Sequence, residues 1–384
     1  MDGTFSIPVI IGFYMFISAS LLVFNVLYII KQRGTDARHG GKTEAWLREI
    51  EPRLNAMQAE PRGHVDPSHR KRLAEKLRHT TELMGYHSAM QRMAKRHKAR
   101  DIRAYLGECS PSFERLASGY ARRKDMEKAY FAYVLSQFPP AADETRPPEE
   151  MLLPYLTGTN VYCRENTLRA LYALGDAAAV EHAFVILAEQ HIFHHEKLLT
   201  GGLMTFSGDK GALAGQLWRY VPDWPAHMGV AVVQFIEQCG AGYCQAFYDA
   251  LAKPGLDLHV RLSILHYFRR YPFEPMRPLL LQYLNHADGM ATELAIASAS
   301  TLAAYPGQES IDALKSALFS RNWHVRNNAA LSLLALETDS RDLDEALQGN
   351  DRYALEMLCY HVQSQGEEER VPQCVRREAK EKWN

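Results

Sequence analysis

One pattern limits this chain more than any other. An apolar motif recurs at near-constant spacing through its C-terminal two thirds. In "RNWHVRNNAALSLLAL" (321–336) a Val-Arg pair precedes small and leucine residues at helical offsets. The form returns in "CRENTLRAL" from Cys163, "VRLSILHYF" from Val260 and "LAIASASTL" from Leu294. Two weaker copies, "HEKLLTGGL" from His195 and "MGVAVVQFI" from Met228, fill the gaps. Counted from 163, 195, 228, 260, 294 and 325, the steps are 32, 33, 32, 34 and 31 residues. Between the copies, "GDAAAVEHAFVILAEQ" (175–190) and "PGQESIDALKSALFS" (306–320) start on turn signals and carry apolar residues at i, i+3, i+4 and i+7. Each unit is predicted to be a helical hairpin. A lone hairpin cannot bury its apolar face, so it must stack on its neighbours.

The copies resemble HEAT repeats in their short form of about 31 residues, the kind also found in phycobilisome lyases. "CRENTLRALYALGDAAAVEHAFVIL" (163–187) and "YPGQESIDALKSALFSRNWHVRNNAALSLLAL" (305–336) carry the resemblance, which extends over roughly 151–365. The Arg stands at 164, 261 and 326 and is missing from the copies at 195, 228 and 294. "DRYALEMLCYHVQ" (351–363) is predicted to be a closing helix, with 366–384 a charged tail. The resemblance implies an all-α fold, an α-solenoid whose curved surface receives other proteins.

A second constraint lies at the N-terminus. "PVIIGFYMFISASLLVFNVLYII" (8–30) contains no charged residue. Its length gives roughly 34 Å of helix, enough for a hydrocarbon core of about 30 Å. A cleaved signal would want a basic start and a shorter apolar run; here Asp2 precedes and Lys31 and Arg33 follow. A single transmembrane helix over 8–30 is therefore expected, with 1–7 a short extracytoplasmic end. Lys31, Arg33, Arg38 and Lys42 place 31–384 in the cytoplasm by the positive-inside rule, making this a single-pass cell-membrane protein with its N-terminus outside.

The net charge of −1 conceals a segregation: 31–105 carry +9 and 106–384 carry −9. Residues 31–65 are expected to form a basic juxtamembrane linker. Helices are expected over 66–138, opening on the cap cluster Asp66-Pro67-Ser68, with a break around Arg122–Asp125. "PPAADETRPPEE" (139–150) is a Pro-rich corner or linker. The basic neck, with 11 Lys and Arg against four acids in 66–106, suits anionic lipid headgroups near an anchor. Nucleic acid is disfavoured because the solenoid itself is acidic.

Chemistry is harder to find. His191 and His195 in "HIFHHE" (191–196) have i, i+4 spacing, and Glu196 is adjacent. Di-iron hydroxylases of the deoxyhypusine type place His-Glu pairs at equivalent points of several HEAT-like repeats. Only His195-Glu196 fits here; the matching positions elsewhere are Cys-Arg, Met-Gly, Val-Arg, Leu-Ala and Val-Arg. A polar helix end or turn is the simpler account. "LLTGGLMTFSGDKGAL" (198–213) is a distorted repeat, with Asp209 capping the helix that follows. His259, His266 and His324 are core or surface residues, and the six cysteines are free thiols, mostly in the core. "CGAGYC" (239–244) lacks a second ligand pair for zinc.

No residue is therefore assigned a catalytic, cofactor-binding or metal-ligating role. The expected function is a membrane-anchored scaffold or adaptor for a protein partner at the inner membrane face, such as an integral-membrane glycosyltransferase. The alternatives are a HEAT-repeat enzyme of lyase or metal-dependent type, and a lipid- or nucleic-acid-binding module working through the neck.

Overall fold

The structure is a computed structural model, and it describes residues 7–59, 65–140, 151–285, 291–336, 338, 357–358 and 361. Residues 1–6, most of the Pro-rich segment, all of the segment 351–363 predicted to close the array except Met357, Leu358 and His361, and the 366–384 tail lie outside them. The described residues are helical, with no strand among them. They fall into two compact units. One comprises 1–190 with 205–208, and the other 191–204 with 209–384.

The first unit is built on α1 (Ile7–Ala59), a single helix of 53 residues. It is long and apolar enough to span a membrane, and none of its apolar window is buried against the rest of the chain. Phe13, Tyr14, Met15 and Phe16 are each more than 60% exposed. Residues 31–59 of the basic stretch after this window lie within the same helix, which runs on without interruption to Ala59. Trp46, Leu47, Ile50, Leu54 and Met57 form a stripe at helical spacing that is fully buried on the neighbouring helices. Burial of each side chain contributes about 1.5–3 kcal/mol, which holds residues 43–57 in the core of the unit.

The neighbours are α2 (Pro67–Lys76), α3 (Thr80–Ala94), α4 (Ala99–Glu108), α5 (Ser110–Tyr120) and α6 (Asp125–Gln137). Asp66 caps α2, its carboxylate accepting from the Ser68 N–H at 3.0 Å. The helix α1 packs on α3 and α4, and α2 packs on α5. Tyr120 stacks on Phe131, with ring centroids 4.5 Å apart, and donates to the Leu77 carbonyl at 2.8 Å. The unit ends with α7 (Val161–Leu174), packed on α6, and α8 (Ala177–Glu189).

The second unit holds α9 (Glu196–Met204), α10 (Lys210–Trp218), α11 (Ala226–Cys239), α12 (Cys244–Ala252), α13 (Leu258–Arg270), α14 (Arg277–Asn285), α15 (Ala291–Thr301), α16 (Gln308–Ala317) and α17 (Trp323–Ala335). Here α9 packs on α11, α11 on α13, α13 on α15 and α15 on α17, while α10, α14 and α16 pack on α11, α15 and α17. Asp209, Asp257 and Asn322 cap α10, α13 and α17 through side-chain oxygens. Asp209 thus does what the sequence predicts.

The recurring arginines share one role. Arg164 donates to the Gly158 carbonyl at 2.7 Å and Arg326 to the Ser320 carbonyl at 3.0 Å. Arg261 reaches the Lys253 carbonyl at 3.1 Å. Each guanidinium ties the first turn of its helix to the loop just before it.

Candidate functional site

The spacing of the sequence motif sorts side chains into two faces. Four residues after each motif start lie Thr167, Leu199, Val232, Ile264, Ser298 and Ala329, all fully buried. Eight residues after lie Leu171, Leu203, Ile236, Phe268, Leu302 and Leu333, buried as well. The i+4 spacing of helical neighbours puts these on one inward face. The opposite face of α9, α11 and α13 forms the wall of a groove of about 1010 Å³ within the second unit.

Three helical stripes line it. Helix α9 contributes Glu196 and Thr200, and α13 contributes His259, Ser263, His266 and Arg270 at offsets 4, 7 and 11. Between them α11 presents His227, Val230, Gln234, Glu237 and Gln238. The sequence signal was present in these offsets but is masked by the stronger apolar pattern on the other face. Thr200 donates to the Gln234 side-chain oxygen at 3.0 Å, linking α9 to α11.

The centre of charge is Glu237, only 6% exposed. Its carboxylate lies 3.3 Å from His266 Nδ1 and 3.8 Å from an Arg270 nitrogen. Arg270 also donates to the Gln238 side chain at 3.2 Å. Burial lowers the proton affinity of the His227 imidazole, and His194 and His195 lower it further, while Glu196 acts the other way. The exposed Phe193 ring lies 4.9 Å from that imidazole. Such a surface offers hydrogen-bond donors, acceptors and two carboxylates against one guanidinium. It is equipped to hold a polar ligand in place.

The histidine motif is arranged differently from its spacing. His191 and His195 do not share a helix face, because α8 ends at Glu189 and α9 starts only at Glu196. His191 adopts φ 52° just past the end of α8, and His195 Nδ1 accepts the Lys197 N–H at 3.2 Å. His194 is buried at 2% exposure. Among the described residues no three His, Cys, Asp or Glu side chains are grouped to hold a metal ion.

Its glycine-rich neighbour has a packing explanation. Ser207 donates from its N–H to the Tyr172 carbonyl at 3.0 Å and from its hydroxyl to the Ala173 carbonyl at 2.9 Å, covering the end of α7. A Cβ on Gly208 would collide with the Gly175 carbonyl oxygen and with the Phe206 ring at 2.8 Å. Backbone approaches backbone at this glycine.

The thiols divide. Cys109 and Cys163 are buried, whereas Cys239 is exposed and Cys244 partly so. Burial pushes the Cys109 thiol up to about 12, so it is an inert core residue. Cys359 and Cys374 lie outside the described residues.

No family model matches the chain. No curated protein matches it either.

Proposed function

We propose that this protein is a membrane-anchored scaffold, and that a HEAT-like α-solenoid over 151–365 holds a protein partner at the cytoplasmic face through the groove of α9, α11 and α13. The observation that carries this reading is the groove itself: about 1010 Å³, lined mostly by polar residues from the outward stripes of three alternate helices. A linear segment of a partner, laid across several helices, fits such a surface better than a compact metabolite does.

The solenoid reading draws on the packing of α9 on α11, α11 on α13, α13 on α15 and α15 on α17 within the second unit, and on their helix starts at 196, 226, 258, 291 and 323. The anchor reading draws on the exposed apolar length of α1 and on the basic residues that follow it. With its N-terminus outside and the body in the cytoplasm, a span joined to the first unit by an unbroken helix keeps that unit close to the bilayer. Tethering raises the effective concentration of a membrane-resident partner, and an integral-membrane enzyme such as a glycosyltransferase is one client of that kind.

The test is site-specific photocross-linking in intact membranes of the native host. A photoreactive residue replaces Thr200 or Ser263 in the groove, or Glu309 on α16 as a control. One partner captured from the groove positions and absent from Glu309 supports the reading. Equal capture from Glu309, or none from any position, overturns it.

A further inference from the structure

The charged groups of the groove are not equally satisfied. Toward α13 they close on each other: Glu237 is matched by His266 and Arg270, and Arg270 also holds Gln238. Thr200 and Gln234 bond to each other between α9 and α11. Glu196 is different. It lines the same groove, partly buried, and among the described residues its carboxylate has no hydrogen bond and no ion pair. Lys197, next in the chain, is exposed and does not pair with it.

The surroundings of Glu196 are aromatic and uncharged. His227 lines the groove with it, close enough for the carboxylate to act on the imidazole. Nε2 of His227 is buried without a hydrogen-bond partner, so protonation there would strand a donor. Burial of the ring acts in the same direction, and at neutral pH the imidazole carries no charge to repel a cation. The Phe193 ring lies 4.9 Å from that imidazole and 6.5 Å from the one of His195. Phe193 is nevertheless 64% exposed, a large apolar side chain left in solvent three residues before an unpaired carboxylate.

A carboxylate set near an exposed aromatic face attracts one kind of ligand group, a cation: the first supplies the counter-charge, and the second a negative π surface. Of the two cations that protein side chains carry permanently, a guanidinium uses both features. Its planar fork donates two parallel bonds to a carboxylate while its flat face stacks on a ring. An ammonium acts on the carboxylate only as a point charge.

We propose that Glu196 and Phe193 form a pocket at the α9 side of the groove that takes an arginine side chain of the bound segment, its guanidinium paired with Glu196 and lying against Phe193. The proposal rests on the reading of the groove as a partner site, and it names a residue that the partner must bring.

The experiment uses the full chain in detergent with a photoreactive residue in place of Thr200, one turn beyond Glu196 on the same helix face. It is irradiated with an equimolar mixture of blocked peptides Gly-Ser-Xaa-Ser-Gly in which Xaa is arginine, lysine, citrulline or glutamate, and mass spectrometry counts the adducts. Arginine adducts should exceed those of citrulline, its uncharged isostere, about tenfold and those of lysine about threefold. Glu196→Gln should bring arginine down to the citrulline level. Phe193→Leu, at an exposed position, should erase the preference over lysine and keep the preference over citrulline. Equal adducts of arginine and citrulline, or an arginine preference that survives Glu196→Gln, would overturn the pocket. The same preference from a photoreactive residue at Glu309 would mean a diffuse attraction for cations and would overturn it too. Displacement of the arginine peptide by equimolar tetramethylammonium would reassign the aromatic face to a quaternary ammonium. Capture of a cellular partner from Thr200 and Ser263 without any arginine preference overturns this pocket alone, whereas arginine preference without a captured partner supports the pocket and removes the scaffold.

Discussion

Arg326 donates to the carbonyl oxygen of Ser320, six residues earlier in the chain, at 3.0 Å. Arg164 makes the same bond to Gly158 at 2.7 Å, across the same six residues. Arg261 solves the same problem with a longer reach, to Lys253 at 3.1 Å and Leu251 at 3.4 Å. The turn before each helix leaves a carbonyl without a helical partner, and a guanidinium satisfies it. The recurring Arg is thus a loop clamp, with the residue before it (Cys163, Val260 or Val325) packed inward and the Arg folded back.

Arg326→Ala should lower unfolding stability by about 1–2 kcal/mol, since it removes a bond to a charged donor and leaves the Ser320 carbonyl with fewer partners. Arg326→Lys should recover less than half of that, because an ammonium on a thinner stem cannot reproduce the fork. Urea midpoints of the detergent-solubilised chain decide. Equal midpoints for wild type and Arg326→Ala would dismiss the clamp as decoration.

Tyrosine hydroxyls do similar work deeper in the structure. Tyr305 donates to the Phe268 carbonyl at 3.3 Å and accepts the Phe273 N–H at 3.1 Å. Burial pushes its phenol up to about 12, which keeps the donor proton in place. Tyr305→Phe should therefore cost about 2 kcal/mol by stranding two backbone groups. Tyr162→Phe, at a ring 72% exposed, should cost nothing measurable. The thermal midpoints of the two variants should separate by several degrees; coincident midpoints would contradict the role given to the hydroxyl.

Much of this was legible beforehand, for a physical reason. Five of the six motif starts (163, 228, 260, 294 and 325) lie two or three residues inside a helix, because the apolar offsets that mark a repeat are also those that a helix buries. His195 is the exception. It precedes α9, since a polar pair at i, i+4 carries no burial signal to separate a helix from the turn before it. The continuation of α1 was concealed by Gly34, Gly40 and Gly41, poor helix formers in a polar stretch, although Trp46, Ile50, Leu54 and Met57 downstream already had helical spacing. The Tyr305–Phe268 bond joins residues 37 apart and exists only once the hairpins have closed on each other. The groove escaped notice for a related reason. His227, Gln234, Ser263 and Arg270 look like any solvated polar face until three such faces stand side by side.

The crossing of α1 and α3 depends on the absence of a side chain. Gly85→Ala should lower the thermal midpoint, because its Cβ meets the Lys42 Cβ at 2.8 Å and the Thr43 backbone behind it cannot retreat without moving α1. A cost of about 1–3 kcal/mol is typical of overpacking. Gly119→Ala supplies the contrast. It is an exposed position in α5 with nothing within 4 Å, and it should gain about 0.5–1 kcal/mol from helix propensity. If both variants shifted stability in the same direction, the close approach would not be the reason for Gly85.

His69 gives the first unit an acid limit. The ring is fully buried, with Nδ1 3.2 Å from a Glu49 carboxylate oxygen and Nε2 3.0 Å from the Tyr105 hydroxyl. Those partners suit a neutral imidazole that donates from Nδ1 and accepts from the phenol at Nε2. Burial, helped by the nearby Arg53, pulls the ring from 6.5 down to about 4, against the opposing pull of Glu49. Between these values the unfolded chain binds a proton that the folded unit refuses. The stabilisation is therefore fully present above pH 6.5 and is lost as the pH falls toward 4, by at most about 3 kcal/mol. His69→Gln removes this titration, so the stability difference between wild type and variant should narrow steadily from pH 7 to pH 4. His87 shifts in the same direction through burial and remains in both proteins, so it cancels in the comparison. The measurement is urea unfolding at a series of pH values, followed by hydrogen exchange in α2 and α4. A difference that stays constant across that range would show that His69 does not titrate there.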